Sequence, residues 1–211
     1  MPRQFGHREG VKAFKKIVRY CKDIGINCIS FFVFSTENWS RPKEEVDTIL
    51  GILDQYLDDV RRHIGEEVRV VFLGDKSVFR DSIQKKMFSL EQDSRDFSKM
   101  TLLLAINYGG RDDIVHAMKS IAKLVQNKML LPEQINEDLV SSFLYTAGMP
   151  DVDLLIRSGA EQRVSNFLMW QSAYAELFFT DVLWPDFSVK DLDKAIKEYA
   201  ARSRRFGGVS Q

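Results

Sequence analysis

The sequence predicts one α/β domain in which helices flank a central, mostly parallel sheet. Short apolar runs, rich in β-branched and aromatic residues, alternate with longer segments of helical period. That alternation is typical of parallel strands covered on both faces by helices. The chain also has 211 residues and 45% apolar composition, which is enough for one sizeable core. We therefore expect residues 1–211 to form a single domain.

Each predicted element depends on a local pattern. The strands are the apolar runs at residues 27–34, 68–73, 101–106 and 152–156, with a shorter fifth at 177–179. The helices depend on three apolar stripes, formed by Val11, Phe14, Ile17, Val18, Cys21 and Ile24, by Val46, Ile49, Leu53, Tyr56, Leu57 and Val60, and by Ile114, Ala117, Met118, Ile121, Leu124 and Val125. Such stripes are far more often core faces than ligand sites, so we expect all three to pack on the sheet.

Charge and cysteine usage argue against several classes of partner. The chain has 30 basic and 30 acidic residues, so no overall field attracts nucleic acid or an anionic membrane. No apolar run approaches the ~20 residues that span a bilayer, and no signal peptide is visible. Cys21 and Cys28 lack metal-binding spacing, which favours buried free thiols in a reducing compartment. We expect a cytoplasmic protein without a nucleic-acid partner.

Polar residues follow three of the predicted strands. Residues 35–41 read STENWSR, residues 107–113 read NYGGRDD, and residues 157–159 read RSG. Open parallel sheets bind ligands at the carboxyl ends of their strands. Clusters rich in Arg, Asn and Ser at three such ends predict a polar ligand there.

The most informative stretch is residues 153–187. Arg157 ends an apolar run, Arg163 and Ser165 follow it, and Glu176 lies further on among apolar residues. Guanidinium groups match the oxygens of a diphosphate bidentately, and a nearby carboxylate could hold the Mg²⁺ that accompanies one. From the residues alone, the alternative is surface salt bridges around an ordinary strand, loop and helix. A nucleotide-binding protein or phosphate-ester hydrolase is disfavoured, because neither GxxxxGK[ST] nor GxGxxG occurs.

Five segments together resemble the cis-prenyltransferases, the family of undecaprenyl diphosphate synthase. They are PRxxGHxxG at 2–10, FSTENWSRPxxEV at 34–46, NYGGRDD at 107–113, the block at 157–187 and RRFGG at 204–208. The resemblance covers essentially the whole chain in order. It implies an undecaprenyl diphosphate synthase-like fold and a homodimer, with peripheral membrane contact at the inner face of the membrane for product release.

The activity implied by the resemblance is Z-type prenyl chain elongation. Isopentenyl diphosphate is condensed with an allylic diphosphate, such as farnesyl diphosphate, with the help of Mg²⁺. Long-chain bacterial members make the C55 carrier lipid of cell-wall synthesis. An apolar tunnel holds the growing chain, and its candidate lining residues here are Phe32, Leu53, Leu57, Met100 and Leu102, each of which could equally be an ordinary core residue.

The resemblance also assigns site residues. Substrate binding falls to Arg3, His7, Ser35, Thr36, Glu37, Trp39, Arg41, Arg157, Arg163, Val164 and Ser165, and the metal carboxylate is Glu176. Among these, Arg3 and His7 match the allylic diphosphate contacts, and Arg157, Arg163 and Ser165 match the isopentenyl diphosphate clamp. Trp39 could otherwise be a simple packing residue.

Asn38 matches the position described as the catalytic proton acceptor. A neutral amide is a very poor base. Our hypothesis is therefore that Asn38 orients the substrate while an oxygen of the departing diphosphate takes the proton.

Three further segments have structural interpretations. Asn107 and the following glycines are predicted to shape a loop, and Arg111 with Asp113 to form an ion pair or a helix cap. Residues 184–187, reading WPDF, are predicted to be a packing and turn element. The tail at 204–208 resembles one that reaches the partner subunit's site.

One family segment, H-x-x-x-I-M-D-G-N-G-R-W-A, has no counterpart here. In the family it supplies a central strand and an Asp needed for Mg²⁺ binding and catalysis. We expect its absence to leave two sheet edges unpaired and this polypeptide inactive or feeble. The explanations are a miscalled start, a fragment of a longer protein, or a shortened protein that binds polyprenyl diphosphates or a partner synthase without catalysis.

Overall fold

The computed structural model describes residues 3–64 and 67–202, without the side chains of 3–8 and 59–64. In chain order the helices and strands are α1 (Arg3–Asp23), β1 (Cys28–Ser35), α2 (Lys43–Ile64), β2 (Val68–Leu73), α3 (Asp81–Ser94), β3 (Met100–Tyr108), α4 (Gly110–Gln126), α5 (Glu137–Phe143), β4 (Leu154–Arg157), β5 (Glu176–Phe179) and α6 (Val189–Ala201). Short 3-10 helices lie at Thr36–Ser40, Lys76–Val78, Pro132–Gln134 and Trp184–Asp186. Every predicted strand is present, and the α/β fold is confirmed.

The larger sheet has the order β1-β3-β2, and both pairings are parallel. β3 lies in the centre, and all its residues except Thr101 are buried. Its side chains alternate between two packing layers, as the pleat of a strand requires. Leu102, Leu104 and Ile106 join the layer that contains Phe14 and Ile17 of α1, whereas Leu103 and Ala105 face a second layer that contains Leu168.

The smaller sheet consists of β4 and β5, which are also parallel. In the described part of the chain, β1 pairs only with β3, and β4 pairs only with β5. Residues of β1 and β4 line one cavity of about 1550 Å³, whereas no residue of β5 does. The predicted single sheet is therefore divided in two in the described residues, and β1 and β4 each have one unpaired edge, as the sequence predicted.

Among the described side chains, the predicted stripes are buried or half-buried with two exceptions, and the side chain of Val60 lies outside the described ones. Ile24 is 43% exposed because α1 ends at Asp23, and Met118 of α4 is 61% exposed. In α4 the buried face contains Asp113, Ala117 and Ile121, which follow one another at intervals of four residues. Met118, one residue beyond Ala117, therefore points away from the core, and its prediction was wrong.

The two cysteines are free, as predicted. Cys21 is buried, and burial raises the pKa of its thiol to about 11. Cys28 is half-buried, and burial raises its pKa as well. Among the helices described, none is both long and apolar enough to cross a bilayer.

Candidate active site at the carboxyl ends of the strands

The cavity between β1 and β4 combines apolar walls with three guanidinium groups. Arg41, Arg157 and Arg163 all line it. Most of the wall is apolar, with Phe14, Phe31, Ile49, Leu53, Leu104 and Ile156 among its residues. Arg157 ends β4, and Arg41 follows the 3-10 helix after β1. The cationic groups therefore follow the carboxyl ends of two strands, where the sequence placed a ligand.

The predicted clamp residues 157 and 163–165 lie in one short, sharply turned segment. Arg157 is half-buried, whereas Arg163 and Ser165 are exposed, and Arg163 forms an ion pair with Glu161. Val164 also lines the cavity. Ala160 and Ser165 have positive φ angles of 64° and 50°. Ser165 does not line the cavity, so the structure brings Arg157, Arg163 and Val164 to it but leaves Ser165 just outside.

The predicted loop 35–41 forms a 3-10 turn after β1. Asn38 stabilises its start, because its Oδ1 accepts a 3.0 Å hydrogen bond from the backbone N–H of Ser35. Burial acts to raise the pKa of the Glu37 carboxyl. Hydrogen bonds from its own backbone and from Asn166, Ser35 and Thr36 outweigh that effect, so that the pKa lies below its usual value. Glu37 is therefore a well-held carboxylate at neutral pH.

Trp39 is a packing residue as well as a loop residue. Its indole ring lies edge-on to Phe34 with centroids 5.1 Å apart. Its Nε1–H donates a 2.8 Å hydrogen bond to Oδ1 of Asn107. Asn107 in turn donates to the backbone oxygen of Asp75 at 2.9 Å, and its φ is +49°. Asn107 thus shapes the loop after β3, as the sequence predicted.

Asp113 does not form the predicted ion pair with Arg111. Residues two apart on a helix do not face each other, and Asp113 points into the core while Arg111 is exposed. The Asp113 carboxylate accepts hydrogen bonds from the Tyr108 hydroxyl, the Tyr145 backbone N–H and the Gln171 amide at 2.8–3.2 Å. Burial raises the pKa of Asp113 in spite of these donors. This carboxylate joins α4 to the segment that follows Leu168.

Asn166 was not predicted as a site residue, although it connects three loops. Its Nδ2 donates to Oε1 of Glu37 at 2.8 Å, and its Oδ1 accepts from the backbone N–H of Arg111 at 2.8 Å. Its backbone oxygen accepts from Gly110 N–H at 2.7 Å. The sequence contained one signal for it. Asn166 follows Ser165 in a predicted loop, and Asn is a residue that tolerates a positive φ. Its partner Glu37, 129 residues earlier, could not be inferred.

Glu176 lies apart from the clamp. It is the first residue of β5 and pairs with Leu154, whereas Arg157 pairs with Phe179. Three residues of strand separate these positions, a distance of about 10 Å. Its carboxylate forms a 2.6 Å ion pair with Arg202. In the described residues, no three His, Cys, Asp or Glu side chains are grouped to hold a metal, so these residues do not form a Mg²⁺ site by themselves.

Some predictions fall outside the described residues, and others need correction. The side chains of Arg3 and His7 and the tail at 204–208 are not described. Phe32 and Leu53 line the cavity as predicted for the tunnel. Leu57, Met100 and Leu102 do not line it, and they are ordinary members of the buried core cluster. At residues 184–187 the prediction of a packing element was right: Trp184 Nε1–H donates to Gly10 O at 3.1 Å.

Comparisons with known proteins identify the family of this chain. The model of the prenyltransferase family described as "Putative undecaprenyl diphosphate synthase" matches residues 1–207. An isoprenyl transferase of Clostridium tetani is 43% identical, over 99% of this chain and 82% of that protein. A farnesyl-diphosphate-specific ditrans,polycis-undecaprenyl-diphosphate synthase of Pasteurella multocida is 44% identical, over 99% and 88%.

The fold comparison points the same way. The crystal structure of lavandulyl diphosphate synthase from Lavandula x intermedia, in complex with dimethylallyl diphosphate, superposes with a TM-score of 0.93. The two chains are 36% identical, and the match covers 97% of this chain and 89% of that one. The family model and the relatives, which agree over nearly the whole length, show that this chain belongs to the undecaprenyl diphosphate synthase family of cis-prenyltransferases.

Proposed function

We propose that this chain binds isopentenyl diphosphate and an allylic prenyl diphosphate and joins them by Z-type chain elongation. The observation that carries the proposal is that Arg41, Arg157 and Arg163 line one cavity whose wall is mostly apolar. Arg41 is paired with Glu45, which also lines the cavity. Each substrate has a diphosphate and a hydrocarbon chain, and the cavity has surfaces for both. Guanidinium groups bind phosphate oxygens bidentately, and burial of apolar chain contributes roughly 25 cal/mol per Å².

The starter and the product are proposed from a relative. The name of the Pasteurella multocida relative specifies farnesyl diphosphate as its starter and an undecaprenyl diphosphate as its product. We propose the same starter and a C55-type product for this chain.

The reaction requires a cationic pocket and a positioned π bond. The allylic C–O bond breaks, with its electron pair leaving on the diphosphate, and the π electrons of isopentenyl diphosphate form the new C–C bond. This leaves a positive charge on C3 of the former isopentenyl diphosphate. A proton then leaves C2, next to that cationic carbon, for an oxygen of the released diphosphate, and the C2–C3 double bond forms. Arg157 and Arg163 hold the isopentenyl diphosphate in this proposal, and Arg41 lies beside the allylic one.

Asn38 and Glu37 have supporting roles in the proposal. The Oδ1 of Asn38 holds the turn through Ser35 N–H, so the group it can offer to substrate is its amide N–H₂ donor. Glu37 remains anionic because its hydrogen bonds keep its pKa low. Its negative charge keeps the surrounding donors oriented, and we propose no proton transfer to it.

A second candidate function is binding of polyprenyl diphosphates, or of a partner synthase, without turnover. It is favoured by the ion pair that Glu176, the predicted metal carboxylate, forms with Arg202. Magnesium, the homodimer and peripheral membrane contact are predictions that come from the resemblance, and the cytoplasmic location is a prediction from composition and cysteine usage.

The test combines binding with turnover. Labelled isopentenyl diphosphate is incubated with farnesyl diphosphate and Mg²⁺, and the products are dephosphorylated and sized by chromatography. The chain is assayed beside a version extended upstream with an Asp-Gly-Asn segment, and titration calorimetry measures binding of each diphosphate. Long polyprenol from either version supports elongation. Binding without product from either version supports the second candidate, and absence of both binding and product refutes both functions.

A further inference from the structure

Asn166 is the point at which three loops from distant parts of the chain meet. Its side-chain amide donates to Glu37 in the loop after β1 and accepts from the backbone of Arg111 at the start of α4. Asn166 itself belongs to the segment that carries Arg163. One amide group, used at both its donor and its acceptor end, therefore connects the segment of Arg163 to the loop that ends at Arg41.

The surroundings leave this contact little freedom. Asn166 has a φ of +64°, a conformation that Asn adopts more readily than most residues. A Cβ added at Gly109 would lie 2.7 Å from Oγ1 of Thr36 and 2.8 Å from Nδ2 of Asn166. At Gly110 an added Cβ would lie 2.6 Å from Cγ of Met169. Residues 109–110 therefore must be small for the three loops to approach this closely.

We propose that Asn166 is a positioning residue that couples the two diphosphate sites. A diphosphate on Arg157 and Arg163 fixes the position of the segment of Asn166. Through the close contact and the hydrogen bond to Glu37, this restricts the conformations of the loop of Arg41. A second diphosphate at Arg41 then loses less conformational freedom when it binds, which makes the two ligands bind cooperatively. By linkage the effect is reciprocal, so each ligand raises the affinity of the other by the same factor.

This inference rests on the proposed function, since it assumes that both diphosphates bind. It goes beyond that function because it assigns a communication role to a residue outside the cavity lining. Allosteric coupling typically changes affinity by about 5- to 150-fold, and we expect a factor near the lower end, about tenfold.

The test measures coupling in the whole chain by titration calorimetry. Isopentenyl diphosphate is titrated alone and then in the presence of saturating farnesyl thiolodiphosphate, an allylic analogue whose C–S bond does not ionise. Wild type should bind isopentenyl diphosphate more tightly in the second titration. N166G keeps the positive φ but loses both side-chain hydrogen bonds, and N166D keeps the acceptor for Arg111 N–H but places an oxygen against Glu37. In both variants the allylic analogue should no longer increase the affinity for isopentenyl diphosphate, an effect called the enhancement below.

A rescue variant separates coupling from general damage. In N166D/E37Q the donor and acceptor exchange sides, because the Gln amide can donate to the new Asp carboxylate, and the enhancement should return. N136D is the matched control: Asn136 also accepts a 2.8 Å backbone hydrogen bond through Oδ1, from Leu139, but lies outside the cavity. In N136D the allylic analogue should increase the affinity for isopentenyl diphosphate by the same factor as in wild type.

Hydrogen exchange gives a second readout. Isopentenyl diphosphate alone should slow exchange of the amides at 36–41 in wild type but not in N166G. If wild type binds both ligands independently, or if N166G and N166D retain the enhancement, the coupling role is refuted while the proposed function survives. If wild type binds neither ligand, the proposed function itself fails.

Discussion

The indole N–H of Trp39 donates a hydrogen bond of 2.8 Å to the side-chain oxygen of Asn107, and so links the loop after β1 to the carboxyl end of β3. Asn107 is buried and has a φ of +49°. The residue therefore combines an unusual backbone conformation with a hydrogen bond to a distant loop.

Replacing Trp39 by Phe should remove this hydrogen bond and keep an aromatic ring against Phe34. The buried oxygen of Asn107 then loses its donor, which costs about 1–3 kcal/mol. Urea unfolding monitored by circular dichroism measures the change. W170F is the matched control, because the Trp170 indole also donates a hydrogen bond, to Ser141, at 3.0 Å. If the free energy of unfolding of W39F falls by no more than about 0.3 kcal/mol, the Trp39 hydrogen bond contributes little to stability.

Arg163→Lys should raise KM for isopentenyl diphosphate and change kcat less. Lysine keeps the charge but lacks the planar fork that binds two phosphate oxygens at once. Initial rates at saturating allylic substrate give both constants, in whichever version of the chain turns over. Arg95→Lys is the control: both arginines are about two-thirds exposed and pair with a nearby acid, but Arg95 lies outside the cavity. An unchanged KM for the Arg163 variant would remove this residue from the clamp.

Asn38→Asp should abolish most turnover without disrupting the loop. The carboxylate can still accept the Ser35 N–H, but it lacks the amide donor and adds a negative charge next to the substrate diphosphates. Product formation and thermal melting are measured in parallel. Normal turnover by a folded variant would count against any role for the amide donor.

Glu176 and Arg202 provide a test of the metal assignment. Their ion pair is partly exposed, and such pairs contribute about 1 kcal/mol or less. If the pair is the whole role of Glu176, E176Q and R202Q should reduce stability equally and leave the Mg²⁺ dependence of the rate unchanged. If Glu176 is a metal ligand, as the resemblance predicts, only E176Q should raise the Mg²⁺ concentration required for half-maximal rate. We expect the second result, and equal Mg²⁺ curves would refute it.

Asp113 should make the stability depend on pH. Burial raises the pKa of its carboxyl in the folded protein, so folding favours the protonated form. The contribution of this group is therefore largest below its unfolded pKa of about 3.9 and declines as the pH rises through the folded value. The difference in free energy of unfolding between wild type and D113N should shrink from pH 4 to pH 7. Urea titrations across this range measure it, and a difference that widens with pH would contradict the raised pKa.

Local patterns in the sequence predicted the elements with small boundary errors. β1 was expected at 27–34 and lies at Cys28–Ser35, and β2 lies where it was expected. Strands and amphipathic helices are recognisable because their side chains repeat with periods of 2 and 3.6 residues, and apolar residues in the sequence follow the same periods. The shared cavity of Arg41 and Arg157 was also predictable, because both follow carboxyl ends of strands.

Packing depth and long-range partners were not predictable in this way. Leu53 and Leu57, one helical turn apart, belong to the same apolar stripe and the same buried cluster, but only Leu53 lines the cavity. The sequence predicts that Glu176 is a metal ligand, but in the structure its carboxylate forms an ion pair with Arg202. These outcomes depend on how whole elements pack against each other, which no local pattern contains.

The sequence by itself determined the family, the order of helices and strands, and the side of the sheet that carries the arginines. The tertiary structure decided which side chains share the cavity, that Asp113 is a buried acceptor, and that Asn166 joins Glu37 to the segment of Arg163. The physical reason is that secondary structure follows from neighbours in the chain. Hydrogen bonds across 129 residues, by contrast, form only after packing has brought the loops within about 3 Å.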